Sequence, residues 1–423
     1  MSQDIPEGFK ITEIGLLPEE WLIVKLCDVC TLRNESINPN SVDAHNLIYV
    51  GLEHLIPSET SIRQWGKPDD VRSSKNMFYE GDILYGKLRP YLDKAAIAHI
   101  NGICSTDILV FKTDNHEASN YFLANLIHTK SFLEYAKMTT TGVNHPRTSW
   151  SSLSEYRFAI PPLPEQRAIA SVLSAIQEAK ERTGAVIQAT RELKKSLMKH
   201  LFSYGVVPLD EAENVPLKET EIGMVPEDWD VAKLEDTGDI ITGTTPRTDV
   251  KEYYGNEYMF ISPGDMGEYK YVDSASKWLS EEGLKVSRIL PMDTVLVVCI
   301  GATIGKTSMT HATKSTTNQQ INAIIANDTI YSHYLYYAIS YRSDKLPSLS
   351  GGVAVPIINK SNFSKFTIPL PPLPIQQQIA DILTAVDQKI EAEEGRSKAL
   401  DELFKTLLSN LMTGSIRVNN MEI

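Results

Sequence analysis

The chain has 423 residues, of which 42% are hydrophobic and 22% are charged; this balance is ordinary for a globular protein, and the length predicts at least two domains. The start of the chain lacks a secretory pattern and no apolar run is long enough to span a bilayer, so we expect a cytoplasmic protein that does not enter a membrane. The formal net charge of −13 excludes a uniformly basic nucleic-acid binder, although phosphate binding requires only a local positive surface.

An internal duplication organises the sequence. Phe9–Leu26 reads FKITEIGLLPEEWLIVKL, and Leu217–Leu234 repeats it as LKETEIGMVPEDWDVAKL. Tyr156–Ala170 (YRFAIPPLPEQRAIA) returns in the same way as Phe366–Ala380 (FTIPLPPLPIQQQIA). Between these blocks the two copies diverge. A period of about 210 residues is far longer than that of solenoid repeats, which run roughly 20–50 residues, so it indicates two copies of a whole domain with unlike centres.

Short apolar or alternating runs between turn residues predict strands in each copy. The predicted strands are Asn46–Val50, Asp82–Tyr85, Ile108–Phe111, Tyr258–Ile261, Thr294–Cys299 and Ile321–Ile325. Apolar positions spaced by three and four residues predict helices over Tyr121–Ala136 and Ile330–Tyr341. Each copy is therefore expected to be a mixed α/β (α+β) domain.

A long helix is predicted after each copy, beginning after Tyr156–Ile160 in the first, because a proline-rich turn can open a helix. Apolar residues then recur at steps of three and four over about 40 residues, or roughly 60 Å. The predicted seam positions are Ile169, Val172, Ile176, Ala179, Thr183, Val186, Thr190, Leu193 and Leu197, and in the second helix Leu383, Val386, Ile390, Glu393, Ser397, Leu400, Phe404, Leu407 and Leu411. The matched lengths predict an antiparallel coiled coil; two separate solvent-exposed helices are the alternative.

These elements divide the chain into five predicted segments. The first domain occupies residues 1–160 and its helix residues 161–205. A linker and the second domain occupy residues 206–370, the second helix residues 371–415, and a C-terminal tail residues 416–423.

The segment YGKLRPYLDK at Tyr85–Lys94 is the densest basic and aromatic cluster of the first copy. Such side chains suit contacts to phosphates or base edges, although an ordinary solvated hairpin has a similar composition. The candidates in this cluster are Lys87, Arg89, Tyr91 and Lys94. The loop TTTGVNHPR at Thr139–Arg147 adds further candidates, since loops on a rigid frame often carry binding. These are Asn144, His145 and Arg147.

In the second copy, GATIGKT at Gly301–Thr307 is similar to a phosphate-binding loop, but only three residues separate its glycines where four are required before the Gly-Lys pair. Nucleotide hydrolysis is therefore disfavoured, and a glycine turn that presents Thr303, Lys306 and Thr307 to a backbone phosphate is the better interpretation. Asn318, Gln319 and Gln320 supply amides that can pair with adenine, and loop amides without that role are equally common.

The loop at Ser348–Pro356 of the second copy corresponds to Thr139–Arg147 of the first. Its Gly352-Val353 matches Gly142-Val143, and it offers mainly backbone groups for binding.

Residues for catalysis are missing from the sequence. No [DN]PP[YF] methylase motif, GxGxxG fingerprint or Ser/His/Asp arrangement stands out, so we expect a non-catalytic protein. Cys27 and Cys30 form one CxxC without a second pair, while Cys104 and Cys299 stand apart. We therefore expect buried, reduced thiols and no metal site.

The motifs that carry a family resemblance are TEIGLLPEEW and TEIGMVPEDW, IPPLPEQRAIA and LPPLPIQQQIADIL, and the closing LFKTLLSNLMTGSI. In this order, over essentially the whole chain, they resemble the specificity (S) subunits of type I restriction-modification enzymes. The resemblance implies two target recognition domains, each reading one half of a bipartite, asymmetric site in double-stranded DNA.

The resemblance further implies that the two helices set the spacing between half-sites and dock two modification (M) subunits. The apolar helix positions assigned to that interface are Leu193, Leu197, Leu201, Leu403, Leu407 and Leu411. S-adenosylmethionine, ATP and Mg²⁺ are expected on the modification and restriction subunits, and no cofactor is expected on this chain. The alternative is a duplicated coiled-coil scaffold for protein interactions, without DNA sequence specificity.

Overall fold

The computed structural model describes residues 5–350 and 356–418, and the chain forms two compact units. Unit 1 comprises Met1–Thr183 and Arg396–Ile423, and unit 2 comprises Gly184–Gly395. No helix in the described part of the chain is long and apolar enough to cross a membrane.

Twelve strands lie in the described residues of the first copy. They are β1 (Phe9–Thr12), β2 (Gly15–Pro18), β3 (Leu22–Lys25), β4 (Cys30–Leu32), β5 (Ser36–Ile37), β6 (Ile48–Val50), β7 (Lys75–Phe78), β8 (Ile83–Gly86), β9 (Ala95–Ile97), β10 (Gly102–Cys104), β11 (Ile108–Thr113) and β12 (Arg157–Ile160). Its helices are α1 (Leu26–Val29), α2 (Asn120–Ile127), α3 (Lys130–Met138), α4 (Trp150–Leu153) and the long α5 (Leu163–Tyr204).

The second copy repeats this order. Its strands are β13 (Leu217–Thr220), β14 (Gly223–Pro226), β15 (Asp230–Lys233), β16 (Gly238–Thr242), β17 (Tyr254–Ile261), β18 (Tyr271–Val272), β19 (Lys277–Leu279), β20 (Val295–Val298), β21 (Thr307–Thr310), β22 (Ser315–Thr317), β23 (Ile321–Ala326) and β24 (Thr367–Leu370). Its helices are α6 (Leu234–Thr237), α7 (Glu281–Lys285), α8 (Ser332–Tyr341), α9 (Lys360–Ser364) and the long α10 (Leu373–Met412).

Each unit is built in layers around one central sheet. In unit 1 this sheet has the order β4-β11-β8-β9, and a second sheet has the order β5-β7-β10-β6. Alternate residues of β8 face opposite layers, as a strand requires: Ile83 and Tyr85 join the core shared with the helices, whereas Leu84 joins the core shared with the second sheet. Unit 2 repeats the arrangement in β16-β23-β20-β21-β18 and β19-β17-β22. The expected α+β fold is confirmed.

The two repeated sequence blocks of each copy meet in space. The strand β3, from the opening block, pairs antiparallel with β12, from the closing block, and Leu22 lies opposite Ile160. In unit 2, β15 pairs with β24 in the same way. Each block therefore depends on its partner, which explains why both recur together in the second copy.

A buried glutamine fixes the start of each long helix. The Gln166 side chain accepts a hydrogen bond from the Ser119 amide at 2.8 Å and donates to the Pro161 carbonyl at 2.9 Å. Gln376 makes the equivalent bonds with Tyr331 and Pro371, both at 2.8 Å. Both side chains are 1% exposed, so the glutamine of the PLPxQ motif joins the helix to the loop before α2 or α8.

The two long helices run antiparallel. In unit 1, Ile169 and Leu173 near the start of α5 share a core with Phe404 and Leu408 near the end of α10. In unit 2, Leu201 near the end of α5 shares a core with Ile379 and Leu383 near the start of α10. The predicted antiparallel helix pair is therefore confirmed.

The predicted seam is correct for α10 but partly wrong for α5. All nine predicted seam positions of α10 are buried or half-buried. In α5, however, Val186 is 39% and Leu193 is 51% exposed. The residues that face inward are instead those four positions after Ile169, Ile176, Thr183, Thr190 and Leu197. They include Lys180 and Lys194, which pair with Asp401 and Asp387 at 2.7 and 2.6 Å. The spacing of apolar residues could not predict these inward positions, because two of them are lysines held there by ion pairs.

Each long helix is followed by a left-handed glycine that packs against the tryptophan repeated in both domains. Gly205, with φ of +82°, packs on Trp229 in unit 2, and Gly414, with φ of +70°, packs on Pro18 and Trp21 in unit 1. The end of α5 therefore completes the second domain, and the end of α10 completes the first.

Two smaller predictions need correction. The helix expected over Tyr121–Ala136 is two helices, because the Thr129 hydroxyl accepts a hydrogen bond from the Phe132 amide and caps a new start. Three of the four cysteines are buried as expected, but Cys27 is exposed. Burial raises the pKa of the Cys30 and Cys299 thiols to about 12, which keeps both protonated.

Candidate nucleic-acid interface

Three loops of unit 1 meet at the ends of the central strands. Leu88, after β8, forms a bridge with Arg147, and the Arg89 amide donates to the Pro146 carbonyl at 2.8 Å. The amide of Lys87 also donates to the Asp107 carbonyl, at 2.9 Å, in the loop before β11. The structure thus brings the two predicted clusters of the first copy, around Arg89 and around Arg147, onto one surface.

Unit 2 repeats these bonds position by position. Ile300, after β20, forms a bridge with Ile357, and the Gly301 amide donates to the Pro356 carbonyl at 3.0 Å. The Cys299 amide donates to the Gln320 carbonyl at 2.8 Å, in the loop before β23. The predicted residues around Lys306 and Gln319 are therefore also brought together. The matched pair Gly352-Val353 lies outside the described residues.

The loop after β8 is left-handed at both ends. Arg89 and Asp93 have φ of 52° and 53°, and their counterparts Gly301 and Gly305 have φ of 100° and 89°. Glycine adopts this region freely, whereas other residues there are strained by on the order of 1–3 kcal/mol each. Arg89 also precedes a proline, which restricts its backbone further. Unit 1 thus holds side chains at two positions where unit 2 has glycine.

A small hydrogen-bond network holds Asp93 in this conformation. One carboxylate oxygen lies 2.7 Å from Nδ1 of His128, and the other accepts a hydrogen bond from the Ser58 hydroxyl at 2.6 Å. Ser58 is itself left-handed, with φ of 60°. Three of the four non-glycine residues with positive φ in the described chain therefore bracket one loop.

The basic groups of unit 1 differ in their freedom to bind. Arg147 forms a bidentate pair with Asp107, which lowers the pKa of that carboxyl, and Lys94 donates to the Leu52 carbonyl at 2.6 Å. Lys87 and Arg89 have no side-chain hydrogen bond or ion pair within the described residues, and Arg89 is exposed. Tyr91, 51% exposed, lies in the same turn, and Asn144 and His145 are exposed in the neighbouring loop.

The surface of unit 2 is mainly neutral. Lys306 approaches the Pro263 carbonyl at 3.4 Å, as Lys94 approaches Leu52, and Thr307 donates to the Gly305 carbonyl. Asn318 and Gln320 bind each other at 3.0 Å, while Gln319 accepts from Thr245 at 2.6 Å. Thr303 is exposed at the loop. GATIGKT leads into the strand β21 and not into a helix, which is unlike a nucleotide-binding loop.

The six predicted interface leucines fall into three groups. Leu201 and Leu411 are 3% and 2% exposed in cores of this chain, where a partner subunit cannot reach them. Leu197 and Leu407 are half-buried against the same cores. Only Leu193 and Leu403, at 51% and 46% exposed, are open at the surface, so the interface prediction now rests on these two.

Several residues that shape this surface were missed from the sequence. Asp93, His128 and Thr245 give no sequence signal, because their partners are distant in the chain. Gln166 and Gln376 did carry one, since the PLPxQ motif recurs in both copies. No cluster of His, Cys, Asp or Glu that could hold a metal ion occurs among residues 5–350 and 356–418.

Comparison with known proteins shows one family. The family model described as the type I restriction modification DNA specificity domain matches twice, over residues 18–188 and 226–402. The MjaVIII specificity subunit of Methanocaldococcus jannaschii is 26% identical, over 98% of this chain and 97% of its own. The HindI specificity subunit of Haemophilus influenzae is 26% identical, over 81% and 88%.

A solved structure shares the fold. The crystal structure of the type I restriction-modification S subunit from M. genitalium aligns with a TM-score of 0.62 at 18% identity, covering 95% of this chain and 96% of that one.

Proposed function

The chain belongs to the type I restriction modification DNA specificity family, and we propose that each of its two units reads one half of a bipartite DNA site. The observation that carries this proposal is the repeated surface at the strand ends. Both units hold three loops with the same backbone hydrogen bonds, yet they present different side chains. A shared frame with unlike side chains suits two unlike half-sites.

The division of labour follows from the family. We propose that this chain is the non-catalytic specificity subunit of a cytoplasmic complex, with two modification subunits docked on the helices and restriction subunits beyond them. S-adenosylmethionine, ATP and Mg²⁺ would be bound by those partners. The acidic net charge of −13 agrees with a grip on DNA that partner subunits complete. The paired helices would set the spacing between the half-sites.

Exchange of one loop tests the proposal directly. Replacing Arg89–Asp93 (RPYLD) by the sequence of Gly301–Gly305 (GATIG) keeps the left-handed ends, so folding should persist. We expect the assembled complex to lose preference for the first half-site by about a hundredfold and to keep the second, since each lost base contact is worth about 1–3 kcal/mol. Methylation of a DNA library with both half-sites randomised measures this.

The matched control replaces Ala302–Ile304 (ATI) by PYL and keeps both glycines, because a Cβ at Gly305 would lie 2.8 Å from the Ser343 carbonyl oxygen. It should change the second half-site only. A wild-type complex without any bipartite preference would contradict the proposed function. A scaffold would leave the methylated sequences unchanged in both exchanges.

A further inference from the structure

Unit 2 contains an open cavity of about 780 Å³ beside Trp229. Its walls are the end of α5 with the following linker (Tyr204–Pro216), the turn Pro226–Trp229, and Ile375 in the first turn of α10. The wall residues are mostly apolar, with three carboxylates, Glu211, Glu227 and Asp228, among them.

The equivalent position in unit 1 is filled by the chain itself. Gly414 packs so closely on Pro18 and Trp21 that an added Cβ would lie 2.7 Å from Pro18. Arg417 then binds Glu165 at 2.6 Å and Glu20 at 2.8 Å, and the Trp21 indole donates to Glu165 at 3.0 Å. The segment Gly414–Val418, which leaves the helix through a turn, thus closes the tryptophan site of unit 1.

Four residues that this segment contacts have counterparts on the cavity wall. Pro18 and Trp21 correspond to Pro226 and Trp229, and Glu20 and Glu165 correspond to Asp228 and Ile375. The linker of unit 2 lines the cavity but does not fill it. The His200 ring donates to the Val207 carbonyl at 2.8 Å and holds the linker at the cavity wall. Leu209 is accordingly 78% exposed, whereas Val418 is 8% exposed.

The chemistry of the cavity differs from that of the filled site at one position. Ile375 replaces the carboxylate of Glu165, so a buried arginine has no partner at this point. The Trp229 indole has no acceptor within the described residues, in contrast to Trp21. Glu211, Glu227 and Asp228 form no ion pair in the same part of the chain, which leaves an acidic rim.

We propose that this cavity receives a short non-helical segment of a partner subunit, seated as Gly414–Val418 is seated in unit 1. Its aliphatic side chain packs on Trp229 and Ile375, one of its carbonyls accepts the indole N–H, and its lysine or arginine lies against the acidic rim. That the partner is a modification subunit rests on the proposed function.

Photo-cross-linking in the assembled complex tests this proposal. A benzoylphenylalanine at Val207, which lines the cavity, should cross-link to one segment of the modification subunit that combines an aliphatic and a basic residue. The same group at Val286, 51% exposed and outside the cavity, is the control and should not mark that segment. Cross-links to this chain only, to a second copy of it, or to no protein would overturn the proposal.

Charge reversal at the rim supplies a second test that does not disturb the core. Asp228→Lys should weaken association with the modification subunits at least tenfold and abolish the Val207 cross-link, whereas Glu219→Lys, equally exposed in β13, should change neither. Unchanged association in Asp228→Lys would contradict the docking site. Loss of bipartite methylation in the wild type would instead contradict the proposed function, so the two failures are distinguishable.

Discussion

The turns at Arg89–Asp93 and Gly301–Gly305 follow the same path with opposite chemistry. Both open with an amide bonded to the closing loop, both are left-handed at each end, and both are followed by a lysine that approaches the carbonyl of a neighbouring loop. In unit 1, however, the left-handed positions carry an arginine and an aspartate where unit 2 has glycines. The backbone bonds define the turn, so the side chains are free to differ.

The difference shows what each unit gains from its residues. Glycine gives unit 2 an unstrained turn that carries no side chain at either end. Unit 1 accepts strain at both ends of the turn: His128 and Ser58 hold Asp93, and Arg89 presents an exposed guanidinium. Strain that the surroundings maintain is typical of functional sites.

Substitution of the glutamine at the start of each long helix tests whether the two units are structurally equivalent. Gln166→Leu and Gln376→Leu each leave a buried amide and carbonyl without a partner, so we expect each to lower the free energy of unfolding by about 3 kcal/mol. Thermal and denaturant unfolding measure both, with the exposed Gln378→Leu as control. If the two losses differed more than twofold, the glutamines would not be equivalent.

A buried lysine in unit 2 should make the stability of the protein depend on pH. Lys270, 6% exposed, stands in unit 2 at the position that matches Thr60 of unit 1, since each carbonyl accepts the amide of an equivalent strand residue, and burial lowers the pKa of Lys270 to about 8. Because this lysine titrates near 10.4 in the unfolded chain, the folded state binds fewer protons than the unfolded state between the two pKa values. The stability of the wild type relative to Lys270→Met should therefore rise by roughly 2 kcal/mol from pH 8 to pH 10.

Unfolding at several pH values measures this effect, with exposed Lys277→Met as the control. A difference between wild type and Lys270→Met that stays constant over this range would show that Lys270 keeps its proton in the folded protein.

The smallest expected effect concerns the strained turn itself. Arg89→Gly should raise the free energy of unfolding by about 1 kcal/mol through relief of backbone strain, yet weaken DNA binding about tenfold and reduce its salt dependence. Gly301→Ala should do the opposite to stability, because nothing lies within 4 Å of its added Cβ and only the backbone opposes it. Equal stability of Arg89→Gly and wild type would mean that the turn is not strained.

Much of this architecture is predictable from the sequence. The duplication, the strands around Asp82–Tyr85 and Ile321–Ile325, and the antiparallel helices were predicted from repetition and periodicity. The break at Thr129 was not, because apolar spacing continues across it while a single hydroxyl caps the second helix. The seam of α5 was missed because Lys180 and Lys194 face inward only in the presence of their aspartate partners.

The sequence predicted which loops form the candidate surface but not which of their side chains are available to bind. Sequence reasoning selected the loops around Arg89, Arg147 and Lys306, and the structure gathers them in their units. It gave Lys94 and Arg89 equal weight, although Lys94 donates to the Leu52 carbonyl and the Arg89 side chain has no hydrogen bond or ion pair in the part of the chain that the structure describes. Such commitments depend on partners about 40 residues away, which local composition does not reveal.

The closure of unit 1 by the end of α10 has a consequence for synthesis on the ribosome. The core of unit 1 includes Phe404, Leu411 and Val418, whereas unit 2 is continuous from Gly184 to Gly395. During translation the first domain emerges early but lacks these residues until the last part of the chain is made. The first domain to be synthesised is therefore the last to complete its core, and its unfinished apolar surface is exposed to chaperones while unit 2 is being synthesised.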